Sequence, residues 1–320
     1  MAVPTIAKGP SPIRRAPRAR KRYRRADVAW GYGFVAPAIA LFGLMGVYTI
    51  VYGLSLSFAT WNGFTPNWRW VGLKNYSDLL WNDPKYAPIV HQAALNTMWV
   101  MIAVPVLTVL VAFPLAVLLN SVRRLKTVLR SVYFLPQVTS GIAVYFAWMY
   151  VLQPDGAVNL MLGSVGLGSL QQPQGWLGNT ATALPTLIVI TVWSGVPVSM
   201  LLYLAGLQAV DPTLVEAARV DGASSWHITR HVMWPLLRPI TAIIVLLALR
   251  DSLQGFQTFL IMTNGGPGNH TNVLGLEAYK LAFLSQLDPT LGLSSALGWM
   301  LFVAAVILAA INLRVMRRAT

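Results

Sequence analysis

Long apolar blocks separated by short polar segments dominate the chain, and six of them can each cross roughly 20 residues' worth of bilayer as a helix. They cover positions 28–58, 97–119, 128–152, 184–208, 236–262 and 292–313. Prolines 105, 114, 136, 185 and 197 fall in or near these blocks. Bundled membrane helices tolerate such prolines because neighbouring groups satisfy the freed backbone carbonyls. No internal repeat and no inverted pair of halves is visible. The pattern predicts an all-α polytopic membrane protein with six transmembrane helices. The first block follows a basic leader, which invites a signal-peptide reading, and Ser57 to Ala59 faintly mimic a cleavage site. The block is too long for a signal h-region of roughly 7–15 residues, so a retained first helix is expected. The predicted layout is a leader at 1–27, a first helix at 28–58, an outer loop at 59–95, a core of five helices at 96–315 and a tail at 316–320.

Composition supports this pattern. Hydrophobic residues make up 56% of the 320 positions and charged residues only 11%, against roughly 25% charged in soluble domains. The net charge of +14 would point to nucleic acid in a soluble chain. Here the basic residues flank apolar blocks, where they orient helices instead. The leader carries Lys8, Arg14, Arg15, Arg18, Arg20, Lys21, Arg22, Arg24 and Arg25 among prolines, a composition that predicts disorder. With the amino terminus cytoplasmic, Arg123, Arg124, Lys126, Arg130, Arg219, Arg230, Arg238, Arg314, Arg317 and Arg318 also fall inside. Only Arg69, Lys74, Lys85 and Lys280 fall outside, so both termini are expected to be cytoplasmic. Trp61, Trp68, Trp70, Trp81 and Trp176 crowd the outer segments, as an interfacial belt or as loop aromatics packed on their own segment. Cysteine is absent, which excludes disulfides and thiolate metal sites.

The segment at 209–239, between the fourth and fifth blocks, is the most informative. Asp211 followed by Pro212 is a helix start, an N-cap acceptor before a residue preorganised for the first turn. Leu214, Val215 and Ala218 can share one face, and Gly222 can end the helix in the left-handed conformation. Ser224 or Ser225 can cap a second short helix delimited by Pro235 and Pro239. The result is a helix–turn–helix elbow on the cytoplasmic side, which physics alone also allows as an ordinary amphipathic loop.

The spacing of Glu216, Ala217, Ala218, Asp221, Gly222, Ala223 and then Pro235 resembles the EAA loop of ABC importer permeases. The likeness extends over roughly 30–315 to the carbohydrate-type permeases related to the maltose and lactose permease subunits. It is carried by Val71, Gly72, Leu73, Lys74, Asn75 and Tyr76, by Asn96 and Thr97, and by Arg130 through Tyr133, Phe134 and Pro136. Trp176 to Gly178, Leu204 to Gln208, and Thr263, Asn264, Gly265, Gly266 and Pro267 complete it. Trp234 departs from the leucine usual before the loop proline. The resemblance implies an ABC type I importer permease fold in a prokaryotic plasma membrane. It also implies a solute-binding protein outside, a second, different permease chain, and two ATPase subunits that receive the elbows. No G-x-x-x-x-G-K-[ST] phosphate loop is present, so ATP and magnesium are expected on the partner ATPase and no cofactor on this chain.

A sugar path needs hydrogen-bonding groups near the midplane, where lone polar groups are costly and therefore informative. Arg250, Asp251, Ser252, Gln254 and Gln257 interrupt the fifth block. Arg250 and Asp251 can line the path, or pair with each other or with neighbouring helices and rigidify the bundle. Thr191, Trp193, Ser194, Gly195 and Gln137 match family segments that line the cavity, or they serve ordinary helix packing. Gly292, Ser295, Ala296 and Gly298 are expected to serve close packing. His91, His227, His231 and His270 are scattered; the four-residue spacing of His227 and His231 can hold a metal, but nothing completes the ligand set and a solvated face is expected. The expected function is the permease subunit of an ATP-driven sugar importer. The alternatives are the same machinery carrying glycerol-3-phosphate or another polyol, with Arg250 facing the anion, or an ion-gradient-driven secondary transporter.

Overall fold

The computed structural model describes residues 25–63, 66–122, 133, 137, 139, 141–284 and 290–319. The chain forms two compact units, Met1–Tyr52 and Gly53–Thr320. In the first, α1 (Arg25–Phe42) continues through a π-turn, Gly43–Val47, into α2 (Tyr48–Ser57), which carries the chain across the unit boundary. Trp30, Phe34, Phe42 and Met45 are exposed along it. The helix already begins at Arg25, two residues before the expected end of the leader; positions 1–24 lie outside the described residues.

The second unit opens with an antiparallel pair, β1 (Ala59–Thr60) and β2 (Arg69–Trp70). Phe58 stacks on Trp70 and Trp68 tilts against it, so these aromatics pack on their own hairpin. A short α3 (Lys74–Ser77) follows. The 35-residue α4 (Ala87–Ser121) starts well inside the segment expected to be loop, because Pro88 opens its first turn without needing a donor. Part of the third block lies outside the described residues; its far end is α5 (Gly141–Val151). After α6 (Ala157–Ser164) comes α7 (Thr180–Ala209), with Asn179 accepting from the Ala181 N–H as its cap.

The elbow comprises α8 (Pro212–Val220), α9 (Ser225–Ile228), a π-turn at Thr229–Met233 and α10 (Trp234–Leu236). The fifth block is not one straight helix. It divides into α11 (Arg238–Gln254) and α12 (Phe256–Met262), separated at Gly255. The chain ends with α13 (Leu274–Phe283) and α14 (Leu291–Ala319), which runs through most of the expected tail. Four helices among the described residues are long and apolar enough to cross a membrane, and the pair Ser225–Leu236 and Arg238–Gln254, bent by 69°, supplies a fifth.

The core lies between α4, α7 and α11. Val100, Val104, Leu187, Met200, Leu204 and Ile244 are buried there, and the fully buried Ala112 and Ala116 let backbones approach closely. Buried amides hold the connecting segments. Asn75 Nδ2 donates to the Ser57 and Ala59 carbonyls at 2.9 and 2.8 Å. Asn96 Nδ2 donates to the Asn269 and Asn272 carbonyls at 3.0 and 2.8 Å, and Thr97 Oγ1 accepts from the Leu274 N–H at 2.9 Å. Asn159 ties the 152–178 segment together, donating to Pro154 and Gln172 carbonyls and accepting from Trp176 Nε1. Three of the segments that carry the family likeness, around 71–76, 96–97 and 176–178, are thus each tied to a neighbouring stretch of chain. Of the expected close-packing residues, Gly292 abuts the Ala59 carbonyl, whereas Gly298 has open space around it.

Candidate functional site

The elbow is built by local capping chemistry. Asp211 accepts from the Thr213 N–H at 2.9 Å, and that bond holds its carboxyl below the ordinary carboxylate pKa. At the other end of α8, the Ala223 N–H reaches the Ala218 carbonyl and the Gly222 N–H reaches that of Arg219, both at 3.0 Å. These two bonds form a Schellman motif, and Gly222 carries the φ of +80° that it requires. Ser224, rather than Ser225, caps α9 by accepting from the His227 N–H at 3.3 Å. Pro235 does not end the second helix. The preceding π-turn hands the Trp234 N–H to the Thr229 carbonyl, and the helix runs on through Pro235 to bend at Leu237.

The predicted coupling residues divide between two sides of α8. Val215, Glu216 and Arg219 line a cleft of about 480 Å³ that also touches Val117, Asn120 and Leu207 from the ends of α4 and α7. Leu214, Ala217 and Val220 are exposed on the far side, so Leu214 does not share the inner face expected of it. Asp221, Gly222 and Ala223 form the turn beyond. The His227 and His231 rings stack at 4.1 Å on the exposed side of the second helix.

The candidates at membrane depth also separate into groups. Tyr203 Oη donates to Thr241 Oγ1 at 3.0 Å, fixing α7 against α11. Ten residues along each helix from that bond (203 − 193 and 251 − 241), about 15 Å at the helical rise, Trp193 and Asp251 stand at a similar height. Trp193 meets Trp148 edge-on at 5.4 Å, and Gln137 Nε2 donates to the Ser194 carbonyl at 2.6 Å. Gly195 faces open space. Tyr145 Oη accepts from Thr258 Oγ1 at 3.0 Å, tying α5 to α12. Thr191 and Ser252 turn their hydroxyls back to the Leu187 and Ala248 carbonyls, and Ser252 is buried. Successive helical residues point about 100° apart, and no ion pair joins Arg250 to Asp251 among the described residues. The two therefore do not pair with each other. Arg250 and Gln254 open instead onto a groove of about 680 Å³ walled by α11, α13 and α14, with Gly275, Ala278, Gly298 and Phe302. None of the α5 and α7 candidates lines that groove. Arg250, Asp251, Gln254, Gly255 and Gln257 are all exposed. A broken helix with exposed polar groups at this depth suits a water-filled cavity or a protein neighbour, not lipid.

Sequence reasoning missed the parts played by Asn75 and Asn159. Their buried amides had no local signal beyond being polar in an otherwise apolar neighbourhood.

Residues 106–319 match the family described as the binding-protein-dependent transport system inner membrane component. The chain belongs to this family. It is thus a multi-pass inner-membrane component of an ABC transport system, as the long apolar helices require. It is 30% identical over 291 residues to the multiple sugar-binding transport system permease protein MsmF of Streptococcus mutans, covering 90% of this chain and 96% of that one. It is 33% identical over 266 residues to the lactose transport system permease protein LacF of Rhizobium radiobacter, covering 82% and 85%. A bacterial alginate ABC transporter, solved with an alginate-pentasaccharide-bound periplasmic protein, shares the fold with a TM-score of 0.76 at 22% identity over 92% of this chain and 96% of that one.

Proposed function

We propose that this chain is the permease subunit of an ATP-driven, binding-protein-dependent importer of oligosaccharides. It has six spans and both termini in the cytoplasm, and it couples to a separate ATPase through the elbow at 209–239. The observation that carries the reading is the elbow itself. A capped, stiff helix pair stands at one end of the bundle, and the exposed Leu214, Ala217 and Val220 present small and apolar surface to a partner. Family membership supports an ATPase as that partner, and on this reading ATP and magnesium are held there. The second permease chain and the external binding protein complete the assembly.

Sugar as cargo is supported by the names of MsmF and LacF. The aromatic and amide groups of Trp148, Trp193 and Gln137 suit hydroxyl-rich rings. Arg250 lies on a different groove from these groups, which favours a neutral saccharide over glycerol-3-phosphate. In the reconstituted transporter, Glu216→Lys together with Gly222→Val should abolish uptake and weaken ATPase association. Survival of both would overturn the importer reading. Competition of uptake by neutral oligosaccharides, but not by phosphate esters, is the expected result for the cargo.

A further inference from the structure

The two halves of the elbow are attached to the bundle in different ways. The first helix, α8, stands off from it. Its Val215, Glu216 and Arg219 face a cleft of about 480 Å³ whose other walls are the ends of α4 and α7 and Ser225, Ile228, Thr229 and Met233 of the second half. The second half is seated. Trp234 meets Phe113 of α4 edge-on, with ring centroids at 4.8 Å and planes at 74°. Phe113 in turn meets Tyr203 of α7 at 5.5 Å and 70°. Tyr203 is fully buried, and its hydroxyl donates to Thr241 of α11. Beside this row, Leu237 is buried at the 69° bend. A Cβ built on Gly206 would lie 2.7 Å from Leu237 Cδ2 and would also collide with Ile240, so side chains at the root of α11 pack directly on the α7 backbone.

We propose that Trp234 is the positioning residue through which the elbow moves the membrane helices, acting by way of Phe113 on Tyr203. This rests on the permease reading. A standing-off α8 can be displaced without disturbing the bundle. The displacement reaches the core where the elbow is close-packed, and the one row of rings there touches α4, α7 and α11 together. Close-packed interiors shift between discrete arrangements and do not deform smoothly. Moving Trp234 therefore moves three helices as a set. The family's usual leucine at this position has no ring edge to offer Phe113, so this chain makes the contact in its own way.

The test uses the complete transporter in proteoliposomes, with ATP hydrolysis measured with and without the ligand-loaded binding protein. Trp234→Ala should leave the ATPase bound but lower the ratio of stimulated to basal hydrolysis by about two- to tenfold, the fold-change equivalent of one aromatic pair. Trp234→Phe, which keeps an edge for Phe113, should retain most of the stimulation. Phe113→Leu should mimic Trp234→Ala, and the double variant should be no worse than either single. The proposal is overturned by normal stimulation in Trp234→Ala, or by Trp234→Phe falling as far as alanine. Additive losses in the double variant, or release of the ATPase from Trp234→Ala, also overturn it. If the unaltered complex shows no stimulation at all, the importer reading fails instead.

Discussion

Replacing Asn96 by alanine should loosen the 263–273 segment while leaving the elbow unchanged. Asn96 is 4% exposed, and its Nδ2 donates to the Asn269 and Asn272 carbonyls. The Asn269 carbonyl keeps a second donor, the Asn272 N–H at 3.1 Å. The Asn272 carbonyl, in a fully buried residue, is left with no donor in the amide's place. Two hydrogen bonds at about 1 kcal/mol each, and one stranded acceptor at about 1 kcal/mol or more, sum to roughly 3 kcal/mol. Local opening free energies of that size are read by hydrogen exchange. At about 1.4 kcal/mol per tenfold, amides in 263–273 should exchange about a hundredfold faster. Peptides from 211–224 should be unaffected, since nothing in the elbow touches Asn96. Unchanged exchange at 263–273, or equal acceleration in both segments, would refute the assignment of Asn96 as the clamp.

Gly222→Val should strain the Schellman turn, because a non-glycine residue in the left-handed region costs about 1–2 kcal/mol; faster exchange at the Gly222 and Ala223 amides is the check. Two glycines of α14 should behave oppositely under alanine substitution, judged by thermal unfolding in detergent. Gly292→Ala places a methyl against the Ala59 carbonyl and 2.9 Å from Asn75 Nδ2, and should destabilise by about 2 kcal/mol through overpacking. Gly298→Ala meets open space, and should be neutral or stabilising by up to about 1 kcal/mol through helix propensity.

The parts legible in the sequence were those governed by chemistry within a few residues. Asp211 before Pro212, Gly222 at the end of α8, and a serine cap at 224 or 225 all follow from capping rules that depend on neighbours alone. Four of the long blocks were legible for the same reason, since apolar length is a local property. The break at Gly255 was not, because the polar residues from Arg250 to Gln257 read as path-lining groups on a continuous helix. The start of α4 at Ala87 was signalled by Pro88, yet the polar residues around it read as loop. Arg250 and Asp251 are adjacent in the chain, which suggested a pair; the 100° helical step separates them. The same step places Glu216 and Ala217 on different sides of α8, although a linear motif groups them. Asn96 could be seen as out of place in an apolar block, but its partners lie more than 170 residues away in the chain.

The position of the polar face along α11 bears on leakage. Between Arg238 and Arg250 the helix offers only Thr241 and apolar residues, and twelve residues (250 − 238) extend about 18 Å. Charge and amide groups begin only beyond that length, against a hydrocarbon thickness of about 30 Å. An idle transporter must hold back protons and sodium driven by the membrane potential. On this helix the insulating layer is the apolar run of Ile243, Ile244 and Leu247, more than half the membrane deep. Water that reaches the exposed polar stretch from Arg250 to Gln257 from one side then does not become a continuous wire for ions.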